Sequence, residues 1–310
     1  MRFFDTNCSN LCTNFSNLRF SRFDIFVYEF YEFSKFTNLE CFRFDIFLLF
    51  IKFYTLKVST FKFFNILAVV AVLTVNFLAV KLPINGLTPG QISDMYHNEF
   101  APAGITFSIW SVIYGLIIGF IVWQYRGSSF EKEDAIQKIG WLLVANSMFN
   151  ICWILSWHFL ILPLSVVIML GILWSLVRLN TVISFDFKPK TPTRGLLKSA
   201  FGVYLGWICI ATIANFTALL VSLKWNAFGL SETFWTGGMI GIGALTVAFI
   251  TWRLQNLFIG LAVLWALLGI IIRQNQLHSA FTPISWAAVT WMMPVVAAMI
   301  YSRTWKYLIH

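Results

Sequence analysis

The sequence predicts an all-α integral membrane protein with eight transmembrane helices, and three observations support that fold class. The 310 residues are 59% hydrophobic and 11% charged, with a mean hydropathy of +0.76, whereas soluble domains are about 25% charged. After residue 62 the chain divides into uncharged stretches that meet or approach the roughly 20 apolar residues needed to cross a bilayer. The basic residues also concentrate in alternate loops. This composition excludes an ordinary soluble domain.

The first four helices are uncharged runs separated by charged or proline-containing loops. The first run lies between Lys62 and Lys81, and the second begins at the loop over residues 102–104. The third follows Lys138, and the fourth ends before Arg178. We therefore place these helices near residues 63–80, 104–124, 139–157 and 162–177.

The last four helices are bounded in the same way. The fifth follows Lys198, the sixth ends before Arg253, the seventh ends before Arg273 and the eighth ends before Arg303. We place them near residues 199–222, 234–252, 255–272 and 284–302. No Asp, Glu, Lys or Arg lies deep within any predicted span. Proton- and ion-coupled carriers usually keep such groups in the membrane, so this absence disfavours them.

The net charge of +9 reflects membrane topology rather than nucleic-acid binding. Eleven basic residues after residue 62 fall in one set of loops and the helix ends beside them: Arg126, Lys132, Lys138, Arg178, Lys188, Lys190, Arg194, Lys198, Arg253, Arg303 and Lys306. The other set holds three: Lys81, Lys224 and Arg273. This positive-inside bias predicts that both ends of the helical core are cytoplasmic, and we expect the plasma membrane.

Residues 1–62 differ from the rest of the chain. They carry 14 of the 35 charged residues and almost half of the 33 phenylalanines, and they repeat NLRFSRFDIF (17–26) as NLECFRFDIF (38–47). The pattern fits neither a signal peptide nor a regular helix or strand period. We predict a Phe-rich, low-complexity segment that is disordered or lies at the membrane interface.

Three blocks of aromatic and small polar residues occur in the second, third and fifth helices. The second helix contains Pro102, Gly104, Phe107 and Trp110. The third contains Asn150 and Trp153, and the fifth contains Tyr204, Trp207, Ala211 and Asn215. In order and spacing these blocks resemble the tryptophan-rich sensory protein family, also called TspO/MBR or translocator proteins, over about residues 63–224.

The resemblance implies a five-helix bundle over residues 63–224 that binds porphyrins, such as haem or protoporphyrin IX, and in some members sterols. Its pocket would open toward the loop between the first two helices. By position, Trp110, Asn150 and Trp207 would line this pocket, with Phe107, Trp153, Tyr204 and Ala211 as supporting residues. Residues 225–310 would then form about three additional transmembrane helices beyond the bundle.

The residues themselves favour the same kind of site. Trp110 and Tyr114 share a helix face because they are four residues apart, and so do Trp207 and Ala211. Indole and phenol faces suit a flat apolar ligand, while Asn150 and Asn215 would bind ligand carboxylates or each other. The alternative is packing, because tryptophan is enriched at membrane interfaces and buried Asn commonly joins helices.

These observations predict a membrane receptor, sensor or transporter for a hydrophobic planar ligand. The rival is a multi-pass permease in which the last three helices form part of the path; a third reading is an enzyme that degrades porphyrin in light. We expect no required cofactor, with porphyrin or haem as ligand, and the lipid bilayer rather than nucleic acid as partner.

Glycine pairs such as Gly202 and Gly206 predict helix packing within the chain or a homodimer face.

One polar cluster, Asp94, His97 and Glu99, lies in the first loop. Carboxylates and imidazole can bind a metal or haem iron. We predict instead a solvated loop and no metal site.

Overall fold

In the computed structural model of the protein, residues 58–82, 84–127, 129–186, 191–278 and 280–302 are described. This part of the chain contains eight helices long and apolar enough to cross a membrane, and it contains no strand. The prediction of an all-α multi-pass membrane protein is therefore confirmed. The expectation for the Phe-rich segment falls almost entirely outside the described residues.

The eight long helices follow one another along the chain, and the longest connection lies between the first two. They are α1 (Val58–Lys81), α2 (Ile109–Tyr125), α3 (Phe130–His158), α4 (Leu162–Thr181), α5 (Thr191–Ser222), α6 (Glu232–Leu254), α7 (Leu257–Leu277) and α8 (Pro283–Tyr301). A 3₁₀ segment, Gly104–Ser108, leads into α2, and a π-helical segment, Val182–Asp186, follows α4. A short helix, Pro89–Met95, lies between α1 and α2 and is called the loop helix below.

Two helices begin about eight residues before the positions predicted from hydropathy. α3 starts at Phe130, where the Ser129 hydroxyl accepts a hydrogen bond from the Lys132 backbone N–H at 3.3 Å. Glu131 and Glu133 lie in its first turn, where carboxylates favour the positive end of the helix dipole. Hydropathy reports only the part of a helix within hydrocarbon, so it misses turns that continue into water.

The first five helices form a closed ring. α1 packs on α3, α3 on α4, α4 on α5, α5 on α2, and α2 more sparsely on α1. The last three helices form a layer beside this ring, because α7 packs along α5 while α8 packs on both α6 and α7. The predicted five-helix bundle with three additional helices is therefore the observed arrangement.

Glycines allow the closest helix approaches in this arrangement. A Cβ added to Gly206 of α5 would lie 2.2 Å from the Ile259 carbonyl oxygen of α7, and one added to Gly202 would lie 2.5 Å from the Asn256 Nδ2. On α6, a Cβ at Gly241 would lie 2.7 Å from the Trp291 ring of α8. Both glycine faces therefore pack within the chain, where small residues let helix backbones meet.

Candidate functional site

A cavity of about 770 Å³ lies inside the ring, near the loop that connects α1 to α2. Its walls come from α1, α2, α3, α5, the loop helix and the 3₁₀ segment before α2. Most of the side chains that line it are apolar or aromatic. Pockets of about 300–1,000 Å³ with few polar groups are typical of small-molecule sites.

One wall of the cavity is an aromatic cluster that joins α2 to α5. The Trp207 ring meets Phe107 edge-on at 5.7 Å between centroids and Trp110 at 6.3 Å, with interplanar angles of 79° and 81°. Trp110 also stacks on Tyr114 at 5.4 Å. Edge-to-face and offset stacked pairs are the favourable aromatic geometries, so these rings support one another around the space.

A second pair of indoles comes from α3. Trp153 and Trp157 lie one turn apart and stack at 5.9 Å with an interplanar angle of 20°. The Trp153 Nε1–H donates to the Asn215 Oδ1 at 2.7 Å, and the Asn215 Nδ2 donates to the Ser165 hydroxyl at 2.9 Å. Asn215 therefore holds the Trp153 ring in place and links α5 to α3 and α4.

A buried chain of amides crosses the bundle behind the cavity surface. The Asn76 Nδ2 donates to the Val72 carbonyl at 3.0 Å and to the Asn150 Oδ1 at 2.8 Å, and the Asn150 Nδ2 donates to the Tyr204 hydroxyl at 3.0 Å. The Val72 carbonyl only accepts, so it fixes which end of Asn76 is the NH₂ and sets the direction of the chain. Asn76 borders the cavity, whereas Asn150 and Tyr204 stand behind it.

Two polar atoms in the aromatic wall have no hydrogen-bond partner among the residues that the structure describes. They are the Tyr114 hydroxyl and the Trp207 Nε1, and both atoms are covered by protein. A ligand in the cavity would therefore meet the faces and edges of these rings rather than their polar atoms.

The loop helix covers one end of the cavity. Its Ile92 is fully buried in a small apolar cluster with Trp157, Leu162 and Ala218, which come from α3, α4 and α5. The Pro89 carbonyl accepts a hydrogen bond from the Trp157 Nε1 at 3.3 Å. A capping box between Thr88 and Gln91 starts this helix.

The second half of the same loop is held by the added helices. The Ala103 N–H donates to the Gly269 carbonyl of α7 at 2.9 Å, and the Trp265 Nε1 donates to the Thr106 carbonyl at 2.9 Å. A Cβ added to Gly269 would lie 2.0 Å from the Thr106 Oγ1, so this glycine allows the loop to sit directly on α7. α7 therefore braces the backbone that leads into Phe107 and Trp110.

The acidic residues of the first loop take part in this brace. The Glu99 carboxylate accepts from the Thr233 hydroxyl at 3.0 Å, and the Glu99 N–H donates to the Glu232 Oε1 at 2.7 Å. Asp94 lies 3.7 Å from Arg273 of α7. Within the described part of the chain, no group of three or more His, Cys, Asp and Glu residues is placed to hold a metal ion.

Six of the eight residues predicted for the site border the cavity: Phe107, Trp110, Trp153, Trp207, Ala211 and Asn215. The other two, Asn150 and Tyr204, form the hydrogen-bonded layer behind them. Asn76, Trp157 and the loop helix also border the cavity, although no pattern in the sequence was used to place them there. Trp157 carried a usable signal, because it lies one helical turn after Trp153, whereas the position of the loop helix depends on distant contacts.

Comparison with known proteins places the chain in a family. A family model described as TSPO-like protein matches residues 62–301, which include all of α2 to α8 and nearly all of α1. The match runs beyond residue 224, where the sequence resemblance ended. No curated protein and no solved structure matches the chain.

Proposed function

The chain belongs to the TSPO-like protein family, and from this premise we propose that it is a membrane receptor or carrier that binds a flat hydrophobic ligand in the Trp-lined cavity. The ligand class that fits best is a porphyrin or related tetrapyrrole. A sterol is the second class, since it is also flat and apolar. No catalytic step is part of this proposal.

The observation that carries the proposal is the convergence of indoles from α2, α3 and α5 on one cavity. Trp110, Trp153 and Trp207 all border it, and each is held by contacts with other aromatic rings or by a hydrogen bond. Rings fixed in this way lose little conformational freedom when a ligand binds, which favours affinity. A macrocycle with two aromatic faces can stack on several of them together.

The rival function, a permease whose path includes the last three helices, has less support. Among the described residues, all that border the cavity lie between Leu73 and Asn215, so α6, α7 and α8 contribute none of them. α7 and the start of α6 instead hold the loop that precedes α2. Gradient-dependent flux of a porphyrin into vesicles would nevertheless distinguish a carrier from a receptor.

The first test is titration of the purified protein in the dark with protoporphyrin IX, following tryptophan quenching and the porphyrin's own absorbance. Ala211 borders the cavity on α5, so Ala211→Phe would place a ring inside it and should weaken binding at least about tenfold, the cost of roughly 1.4 kcal/mol. The control is Ala297→Phe, since Ala297 is exposed on α8.

Equal affinity of wild type and Ala211→Phe would overturn the proposed site. Weakened binding in both variants would point to a general disturbance of folding rather than to the cavity. Loss of porphyrin absorbance on illumination, absent in the dark, would indicate degradation instead of simple binding.

A further inference from the structure

We propose that the ligand is an acidic amphiphile whose carboxylate binds Lys81 at a lateral mouth of the cavity, between α1 and α2. This inference rests on the proposed function because it concerns the same cavity. It adds the chemical class of the ligand's polar group, the residue that recognises it and the route by which the ligand enters.

The mouth is visible in the exposure of the residues that line it. Phe77 and Val80 of α1 border the cavity, yet their side chains are 61% and 55% exposed. Ser111 of α2 likewise borders the cavity and is exposed. A Cβ added to Gly115, one turn further along α2, would meet no atom within 4 Å. The cavity therefore reaches the outer surface of the molecule where α1 and α2 pack sparsely.

Lys81 supplies the charge at this mouth. It is the last residue of α1 and it borders the cavity, and no Asp, Glu, Arg or other Lys does so in the described part of the chain. The nearby loop carboxylates are engaged elsewhere, Asp94 with Arg273 and Glu99 with Thr233. Lys81 forms no ion pair within the described residues. An anion at the mouth would thus meet one cation and no competing carboxylate.

The interior cannot offer the same recognition. The Asn76 NH₂ group already donates to Val72 and Asn150, while Asn215 is bonded to Trp153 and Ser165. Thr88, Ser93 and Ser111 also border the cavity, but neutral hydroxyls do not balance an ionised carboxylate, whose burial without an opposite charge is costly. The apolar body of the ligand therefore belongs among the indoles, and its acid belongs at Lys81, whose long side chain can reach the polar membrane surface.

The test compares protoporphyrin IX, which carries two carboxylic acids, with its uncharged dimethyl ester, which keeps the same ring system. Full-length protein is placed in nanodiscs of a zwitterionic lipid, and both dissociation constants are measured for wild type, Lys81→Gln and Lys224→Gln. Lys224 is the matched control because it is an exposed basic residue just after α5 that does not border the cavity.

We expect Lys81→Gln to weaken binding of the acid by about two- to fivefold, the range for an exposed ion pair. Binding of the ester should not change, and Lys224→Gln should affect neither ligand. Added salt should reduce the wild-type preference for the acid, because it screens exposed charges. Lys81→Arg should restore that preference.

Three results would overturn the inference: no effect of Lys81→Gln, an equal effect on acid and ester, or the same loss in Lys224→Gln. If wild type binds both porphyrins equally well, the acid-recognition proposal fails while the proposed function stands. If wild type binds neither, the proposed function fails, and this inference fails with it.

Discussion

At the scale of single residues, Asn150 shows how a polar group inside the membrane can support a cavity without bordering it. It is 1% exposed, accepts from Asn76 and donates to Tyr204. Hydrocarbon provides no alternative partner for these groups, so each bond fixes the position of a side chain. Asn76 is thereby held at the cavity surface and Tyr204 beneath the aromatic wall.

Replacing Asn150 with leucine should remove both bonds, so that the Tyr204 hydroxyl loses this donor and the Asn76 amide keeps only its bond to the Val72 carbonyl. We expect a loss of about 1–2 kcal/mol of stability, as for hydrogen bonds between membrane helices, measured by unfolding in detergent. Because both side chains share one bond, the double variant Asn76→Leu/Asn150→Leu should lose less than the sum of the single variants. Strictly additive losses would contradict the coupled chain.

At the scale of elements, α5 joins the two parts of the molecule. One of its faces places Trp207 and Ala211 at the cavity, while another places Gly202 and Gly206 against α7. The position of the cavity wall therefore depends on how closely α5 and α7 approach. We therefore expect α7, which does not border the cavity, to affect the position of the cavity wall through its packing on α5.

Gly206→Ala should force α5 and α7 apart, because its Cβ would lie 2.2 Å from a backbone oxygen that cannot rotate away. We expect destabilisation of about 1–3 kcal/mol, as for overpacked cores, measured as a lower thermal midpoint. Gly238→Ala on α6 is the control, since its Cβ would meet nothing within 4 Å. That change should be neutral or stabilising by up to about 1 kcal/mol. Equal effects of the two substitutions would contradict this packing.

The brace between α7 and the first loop gives a second prediction at this scale. Trp265→Phe should remove the hydrogen bond to the Thr106 carbonyl while keeping most of the apolar contact. We expect faster amide hydrogen exchange over residues 94–106 and faster ligand release, because local opening becomes easier. Trp286→Phe, at a side chain that is 63% exposed on α8, should leave both rates unchanged. Unchanged exchange in Trp265→Phe would show that the bond does not hold the loop.

At the scale of the whole molecule, contacts join one set of loops to one another. The first loop contacts the start of α6 through the Glu99 N–H, and it contacts the end of α7 through Asp94 beside Arg273 and through the Glu99 carbonyl, which accepts from the Gln274 amide. The Asn85 amide also reaches the His158 carbonyl at the α3–α4 turn, at 3.0 Å. These segments therefore lie at one end of the molecule. They are the loops poor in lysine and arginine, which the positive-inside rule places away from the cytoplasm.

Cysteine labelling can test this orientation in intact cells. In a cysteine-free background, His97→Cys should react with a membrane-impermeant maleimide from outside, because His97 is exposed in the first loop. Phe130→Cys, at the 87% exposed start of α3, should react only after the membrane is permeabilised. The opposite pattern would invert the topology and place the cavity mouth on the cytoplasmic side.

The sequence by itself determined the membrane class, the number of crossings and the aromatic stripes of α2, α3 and α5. Each of these follows from local patterns, since hydropathy and helical period depend on neighbouring residues. It also indicated that Trp110, Trp153 and Trp207 would face a shared space, and the structure brings all three to one cavity. Their role in ligand binding stays a prediction.

Only the tertiary structure decided which polar residues stand at the cavity surface and which stand behind it, and what the last three helices do. Asn76 and Asn150 look alike in sequence, but the hydrogen bond between them joins residues 74 positions apart. The brace from Trp265 to Thr106 spans 159 positions. Such contacts depend on how whole helices pack, and packing in a membrane follows from the fit of side chains between distant segments rather than from any local pattern.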